Sequence, residues 1–185
     1  LPEHLRIFAE KAPVALAPGG AKNMLRDDAL RRWPIENYAY LIKELSQRGI
    51  PVVVTGSESD AWVLPHFEGL EFDNLIGKTG VLDLVAFYRY CRLLIAHDSG
   101  PLHLARLSPC KVIALFGPTN PREMIGDTRD VLWGGKNLGC SPCYDGKTYA
   151  SCQNNLCMKR ISPQEVLLRV ERALKTSEIS IPCMQ

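Results

Sequence analysis

Long apolar runs, strong net charge and targeting signals are missing from this sequence of 185 residues. No apolar run approaches the roughly 18 residues of a membrane span, and the first residues lack the pattern of a signal peptide. The formal net charge is +2 and the basic residues are scattered, so charge alone indicates no nucleic-acid partner. The first residue is Leu, from which we expect a piece of a longer or processed protein.

Three motifs of nucleotide and metal chemistry are also missing. The sequence has no G-x-G-x-x-G, which argues against a standard NAD site. Gly77-Lys78-Thr79 is not a P-loop, because the position that should carry the first glycine is Phe72. No D-x-D pair is present to hold a catalytic metal. What remains is a composition of 46% hydrophobic and 23% charged residues, which is typical of one globular domain with a real core.

The stretch from residue 93 to residue 121 alternates apolar runs with polar turns. Residues 93–96 and 111–116 are apolar and of the length of buried strands. Residues 101–107 are predicted to be helical, because Pro101 is favoured at a first helical position and Ser99 or Gly100 as its cap. Strand, helix and strand at this spacing predict one βαβ unit of a parallel sheet.

The same alternation runs through the rest of the chain and predicts an α/β fold, a Rossmann-like doubly wound parallel sheet. Further strands are predicted at 14–17, 51–55, 74–77 and 130–133, and helices at 1–11, 35–47, 81–91 and 163–174. In the helix over 81–91 we expect Leu82, Val85, Ala86 and Tyr90 to be buried. Residues 1–12 are expected to be a linker or the end of a missing N-terminal domain, 13–175 the Rossmann-like domain with a cysteine-rich segment at 139–158, and 176–185 a tail.

Polar turns follow the predicted strands at their carboxyl ends, where open α/β sheets bind ligands. A helix that begins at Gly100 would direct free N–H groups at an anion such as phosphate. Asp98 is better placed for sugar hydroxyls or for capping its helix, because phosphate would repel it. His103, one turn into the helix, is either a second group for that anion or a satisfied histidine on a buried face.

Two sequence segments stand out: DSGPLHLA at residues 98–105 and ALFGPT at residues 114–119. Together they resemble glycosyltransferase family 9, the heptosyltransferases that build the inner core of bacterial lipopolysaccharide. The resemblance extends from about residue 14 to about residue 174 and covers only the C-terminal half of a family member. It implies the nucleotide-sugar-binding C-terminal domain of a GT-B glycosyltransferase.

The resemblance also implies a donor site. Arg31 stands two positions before a Trp-Pro pair, as a basic residue that contacts the donor diphosphate does in the family, although a solvated basic pair is the simpler interpretation. Glu58 best matches the acid that contacts the ribose, and Asp60 could equally be an acid at a helix N-terminus. Arg31 and His103 would stabilise the leaving group. The full donor-binding set is Gly19, Gly20, Lys22, Arg31, Glu58, Asp98, Ser99, Gly100, Pro101, Leu102 and His103; an ordinary glycine turn is the alternative for the first two, and a small insertion leaves the place of Lys22 open.

The implied reaction is inverting transfer of a sugar from a nucleoside-diphosphate sugar, ADP-heptose before others, to the lipopolysaccharide core. It requires no cofactor and would take place in the bacterial cytoplasm or at the inner face of the inner membrane. The general base and most of the acceptor site lie in the family's N-terminal domain, so no catalytic base is expected here. We therefore expect this chain to bind the nucleotide sugar but to transfer poorly or not at all by itself.

Two rival functions come from other residues. A metal phosphohydrolase could use His97, Asp98 and His103, although neighbouring side chains at a strand end point to opposite faces. A non-catalytic nucleotide-binding or interaction domain could be built around zinc. Four of the seven cysteines, Cys140, Cys143, Cys152 and Cys157, have the spacing C-x2-C-x8-C-x4-C, which could hold a structural zinc ion or leave free or paired thiols.

Overall fold

A six-stranded, all-parallel sheet forms the centre of the protein. The structure, a computed structural model, describes residues 1–21, 27–126 and 130–177. The strand order is β3-β2-β1-β4-β5-β6, so the order of the strands reverses between β1 and β4. The strands are β1 (Val14–Ala17), β2 (Val52–Val54), β3 (Asp73–Asn74), β4 (Leu93–His97), β5 (Val112–Phe116) and β6 (Val131–Trp133). The predicted doubly wound α/β fold is confirmed.

Helices cover both faces of this sheet. They are α1 (Glu3–Ala9), α2 (Ile35–Gln47), α3 (Val81–Tyr88), α4 (Gly100–Ala105), α5 (Pro121–Ile125), α6 (Leu156–Lys159) and α7 (Pro163–Ser177). Two 3-10 segments, Ala29–Arg31 and Glu58–Phe67, lie in the turns between β1 and β2 and after β2. None of the helices in the described ranges is long and apolar enough to span a membrane.

The strands supply two separate cores because successive side chains point to opposite faces. Val14 and Leu16 of β1 pack in one core with α2 and α7. Ala15 and Ala17 pack in the other core with α1, α3 and α4. The small side chains on this second face let the helix backbones approach the sheet closely. Leu5 of α1 is fully buried there, so the first residues pack onto the domain.

Several sequence-based boundaries differ from the structure. Strand β4 includes His97, which we predicted in the turn, and β3 ends at Asn74, where we predicted a strand to begin. Helix α3 buries Leu84, Phe87 and Tyr88, whereas Leu82 and Tyr90 are exposed. The prediction for that helix was wrong because a run of apolar residues on every side does not show which stripe faces the sheet.

Candidate functional site

The carboxyl ends of β1, β2, β4 and β5 bring four polar turns to one edge of the sheet. The turn after β1 meets the turn after β4 directly, and the turn after β2 meets the turn after β3. A Cβ atom built on Gly20 would lie 3.1 Å from Cβ of Ser99, and one on Gly77 would lie 3.3 Å from Cα of Glu58. The parallel topology thus gathers the turns that were predicted to hold the donor. Lys22 lies outside the described residues.

Asp98 is the centre of this edge. Its side chain is almost completely buried, and Thr119 donates a hydrogen bond of 2.9 Å to its Oδ2. Nη1 of Arg31 lies 3.7 Å from Oδ2, and Nε2 of His103 lies 3.6 Å from Oδ1. Burial raises the pKa of Asp98, but the neighbouring His103, Thr119 and Arg31 outweigh it and hold the pKa below its ordinary value. Asp98 is therefore a buried carboxylate that positions two potentially cationic side chains.

Arg31 faces the site from the 3-10 turn after β1. Its Nη2 also lies 3.0 Å from Oδ2 of Asp28, and only 18% of the side chain is exposed. The adjoining Trp33 is buried and donates its indole N–H to the carbonyl of Ile161, which anchors this turn to the domain. The solvated basic pair is therefore not what the structure shows. Nε of Arg31 is buried and has no hydrogen-bond partner among the residues described, so a donor group remains for a ligand.

His103 is exposed, so the interpretation as a satisfied buried histidine does not apply to it. About half of its side chain (48%) is in contact with solvent, and its imidazole lies beside Asp98 at the open edge. Next to it, Gly100 has open space around it, whereas Leu102 is buried in the core. The N–H of Leu102 already donates to the Ser99 carbonyl, and Ser99 Oγ donates to the carbonyl of His97. Of this turn, His103 and Gly100 are the residues most open to a ligand.

Asp60 joins two of the turns, a role that sequence reasoning missed. Its Oδ1 accepts the N–H of Gly20 at 2.7 Å, and its Oδ2 accepts the N–H and hydroxyl of Ser57. A Cβ atom on Gly19 would lie 2.4 Å from Asp60 Cγ, so this glycine is required for close packing. The S-x-x-D spacing of residues 57–60 signals the capping box, but nothing local signals the bond to Gly20.

A sequence profile described as glycosyltransferase family 9 (heptosyltransferase) matches residues 5–153. The chain belongs to this family. It is 31% identical over 119 residues to lipooligosaccharide heptosyltransferase 2 of Campylobacter jejuni, covering 60% of this chain and 35% of the relative. It is 37% identical over 100 residues to the protein of the same name in Haemophilus influenzae, covering 50% and 29%.

The fold of solved heptosyltransferases agrees with this assignment. The structure of E. coli ADP-heptose lps heptosyltransferase II superimposes with a TM-score of 0.71 at 22% identity, over 96% of this chain and 53% of that one. The chain thus spans about a third of the curated relatives and about half of the solved one. The predicted identity as a GT-B domain of family 9 is confirmed.

His97, the neighbour of Asp98, points away from the edge of the sheet around Asp98. His97 is fully buried, and its Nδ1 lies 3.2 Å from the hydroxyl of Tyr38. Within residues 1–21, 27–126 and 130–177, no three His, Cys, Asp or Glu side chains are grouped so as to hold a metal. The arrangement therefore does not support a phosphohydrolase in which His97, Asp98 and His103 share a metal.

His97 predicts a loss of stability in mild acid. Burial, with the charges of Arg32 and Arg31, lowers its pKa from 6.5 to about 4, while Asp98 opposes the shift. The unfolded chain therefore binds a proton below about pH 6.5 that the folded chain does not bind until about pH 4. The free energy of unfolding should fall through this window by up to about 3 kcal/mol. Urea unfolding at intervals from pH 7.5 to pH 4.5 measures the fall.

The matched variant for this measurement is His97→Gln, in which an amide oxygen can accept the Tyr38 hydroxyl. We expect it to be less stable than the parent at pH 7.5 but to lose much less stability on acidification. An equal fall in both proteins would show that His97 is not the titrating group.

The cysteine-rich segment, residues 139–158, adjoins the edge of the sheet around Asp98. The N–H of Cys143 donates to the Pro118 carbonyl, and Ser141 Oγ donates to the Gly117 carbonyl, both in the turn after β5.

Tyr149 of this segment lies within electrostatic range of Arg31 and Asp98, and burial raises its pKa to about 12. Burial and, to a smaller extent, the neighbouring Cys152 and Cys140 raise the pKa of the Cys143 thiol. Four of the cysteines that the structure describes as free belong to this segment: Cys140, Cys143, Cys152 and Cys157. Their binding of zinc stays a prediction.

Proposed function

We propose that this chain binds a nucleoside-diphosphate sugar, ADP-heptose, at the edge around Asp98, and that it serves transfer of the heptose to the lipopolysaccharide core. The observation that carries the proposal is the placement of Arg31 and His103 on either side of one buried carboxylate. Two potential cations at the carboxyl edge of a parallel sheet suit a diphosphate. The names of the relatives, lipooligosaccharide heptosyltransferase 2 and ADP-heptose lps heptosyltransferase II, support the choice of donor and acceptor.

In the proposed reaction the acceptor hydroxyl attacks the anomeric carbon as the bond to the diphosphate breaks. Negative charge grows on the diphosphate oxygens, and donors already held in place stabilise it without reorganisation. Arg31 offers a guanidinium charge and an Nε–H that has no partner in the described part of the chain, and His103 offers an imidazole N–H. Asp98 does not touch the diphosphate in this scheme, because its negative charge would repel the anion and its Oδ2 is already engaged by Thr119 and Arg31. The acceptor proton leaves to a base that we do not assign to this chain.

The remaining donor assignments are part of the same proposal. Glu58 is exposed at the end of β2 beside Gly77, where the vicinal hydroxyls of a ribose could meet its carboxylate. Gly19 and Gly20 line the first turn, but the N–H of Gly20 is already bonded to Asp60. We therefore expect that turn to contribute its shape, with Arg32 holding the Gly20 carbonyl at 3.0 Å.

Calorimetric titration of the chain with ADP, ADP-heptose and UDP tests the proposal. We expect one ADP-type ligand per chain, tighter binding of ADP-heptose than of ADP, and weaker binding of UDP. A folded, monodisperse sample that binds none of the three would contradict donor binding by this half. Equal binding of ADP and UDP would contradict adenine recognition. We also expect no appreciable transfer by the chain alone, measured as release of ADP with an acceptor present.

A further inference from the structure

Four cysteines that are spread over 18 residues of sequence line one cavity. Cys140, Cys143, Cys152 and Cys157 all face a cavity of about 430 Å³. They are free thiols, and Cys140 and Cys152 are exposed. Two further described cysteines, Cys91 and Cys110, lie together elsewhere, near the start of β4 and β5, where Cys110 Sγ contacts the Cys91 carbonyl at 3.8 Å. These two cysteines thus lie apart from the four that line the cavity.

The segment that forms the cavity has little regular structure to stabilise it. Between β6 and α6 the described chain contains turns and one isolated bridge, Tyr144 with Tyr149, whose rings lie 4.7 Å apart. None of residues 136–156 is buried. Small folding units that bury little apolar surface are commonly cross-linked by a disulfide or a metal ion, and we apply the same reasoning to this segment. No disulfide joins any of these four cysteines.

We propose that the four cysteines bind one Zn²⁺ ion as a structural site. Four thiolates at about 2.3 Å form the closed tetrahedral shell that zinc prefers, and they leave no open position for catalysis. Among the described residues no three of these thiols are close enough together to hold a metal ion. Binding therefore requires the thiols to move from the walls of the cavity towards the ion. The exposed Cys140 and Cys152 have the freedom to rotate, and the ion replaces a thiol proton at each sulfur, which couples metal affinity to pH.

The zinc site would hold the cysteine-rich segment against the edge of the sheet around Asp98. The N–H of Cys143 donates to the carbonyl of Pro118, the residue directly before Thr119, and Thr119 bonds Asp98. A cross-link through Cys143 thus connects the segment to the region that orders Arg31. The zinc proposal itself does not depend on the proposed function, since it rests on the cysteines alone.

Metal analysis of the purified chain tests the site. After dialysis against a chelator, titration with Zn²⁺ should restore one ion per chain and raise the melting temperature. Titration with Co²⁺ should give thiolate-to-cobalt charge-transfer bands and the d–d bands of a tetrahedral site. The variant Cys143→Ser/Cys157→Ser should lose both signals, whereas Cys110→Ser, a matched substitution away from the cavity, should retain them.

A second measurement covers the case in which the double variant does not fold. A mercurial that titrates thiols should release Zn²⁺ from the unaltered chain in step with the first four thiols modified. A folded chain that takes up neither Zn²⁺ nor Co²⁺ would overturn the proposal. Metal that stays bound to Cys143→Ser/Cys157→Ser, or a non-reduced mass that is four hydrogens lower, would also overturn it.

Discussion

Arg31→Gln is expected to weaken ADP binding roughly a hundredfold, or about 3 kcal/mol. The substitution removes a guanidinium that is largely shielded from water and lies between Asp28 and Asp98. A charge-assisted bond to the diphosphate is lost, and two carboxylates are left without their cation beside an anionic ligand. Both effects act in the same direction. Calorimetric titration with ADP at constant salt measures the change.

Arg48→Gln is the matched control for this prediction. Arg48 follows the C-terminal end of α2, away from the edge around Asp98. It pairs with Glu44 and Glu171. We expect ADP affinity to be unchanged. Arg31→Lys should be intermediate, because it retains the charge but not the planar fork. Unaltered ADP affinity in a folded Arg31→Gln protein would remove Arg31 from the donor site while leaving the zinc proposal intact.

Gly134→Ala is expected to destabilise the protein by about 4 kcal/mol or more, and to lower its melting temperature by about 10 °C. Gly134 follows β6, and a Cβ atom there would lie 1.8 Å from the backbone oxygen of Cys157 and 3.0 Å from Cγ1 of Ile161. A backbone carbonyl cannot rotate away as a side chain can, so α6 or the end of β6 must shift. Urea and thermal unfolding measure the loss.

Gly139→Ala in the neighbouring cysteine-rich segment is the control for that substitution. No atom lies within 4 Å of a Cβ built at Gly139, so the same added methyl group should change stability by less than about 0.5 kcal/mol. If the two variants were equally stable, the close packing of α6 against Gly134 would be incorrect.

Much of the architecture can be predicted from local sequence. The apolar runs around residues 14–17, 52–54, 93–97 and 112–116 are short and bounded by polar turns, and they are the four central strands of the sheet. Parallel topology then places the turns after them at one edge, so the neighbourhood of Asp98, Gly100 and Arg31 follows from the alternation of elements. The family motif lies on the same turns and supports the proposed ligand, a nucleoside-diphosphate sugar.

The bonds within that edge could not be predicted in this way, because each joins residues far apart in sequence. Thr119 orders Asp98 from the next strand, and Asp60 ties the turn after β2 to Gly20, 40 residues earlier. Strand geometry alone predicts that His97 and Asp98 point to opposite faces, but not the contact of His97 with Tyr38, which joins residues 59 positions apart.

The sequence by itself determined the alternation of strands and helices, the edge of the sheet at which the polar turns meet and the cysteine spacing, because these depend on periodicity, turn residues and a local motif. Only the tertiary structure decided which groups at that edge are engaged and which are open. Arg31 is shielded, and its Nε has no partner within residues 1–21, 27–126 and 130–177; His103 is exposed, and Leu102 is buried. The physical reason is that hydrogen-bond partners and burial are properties of packed surfaces, which form only when distant segments meet.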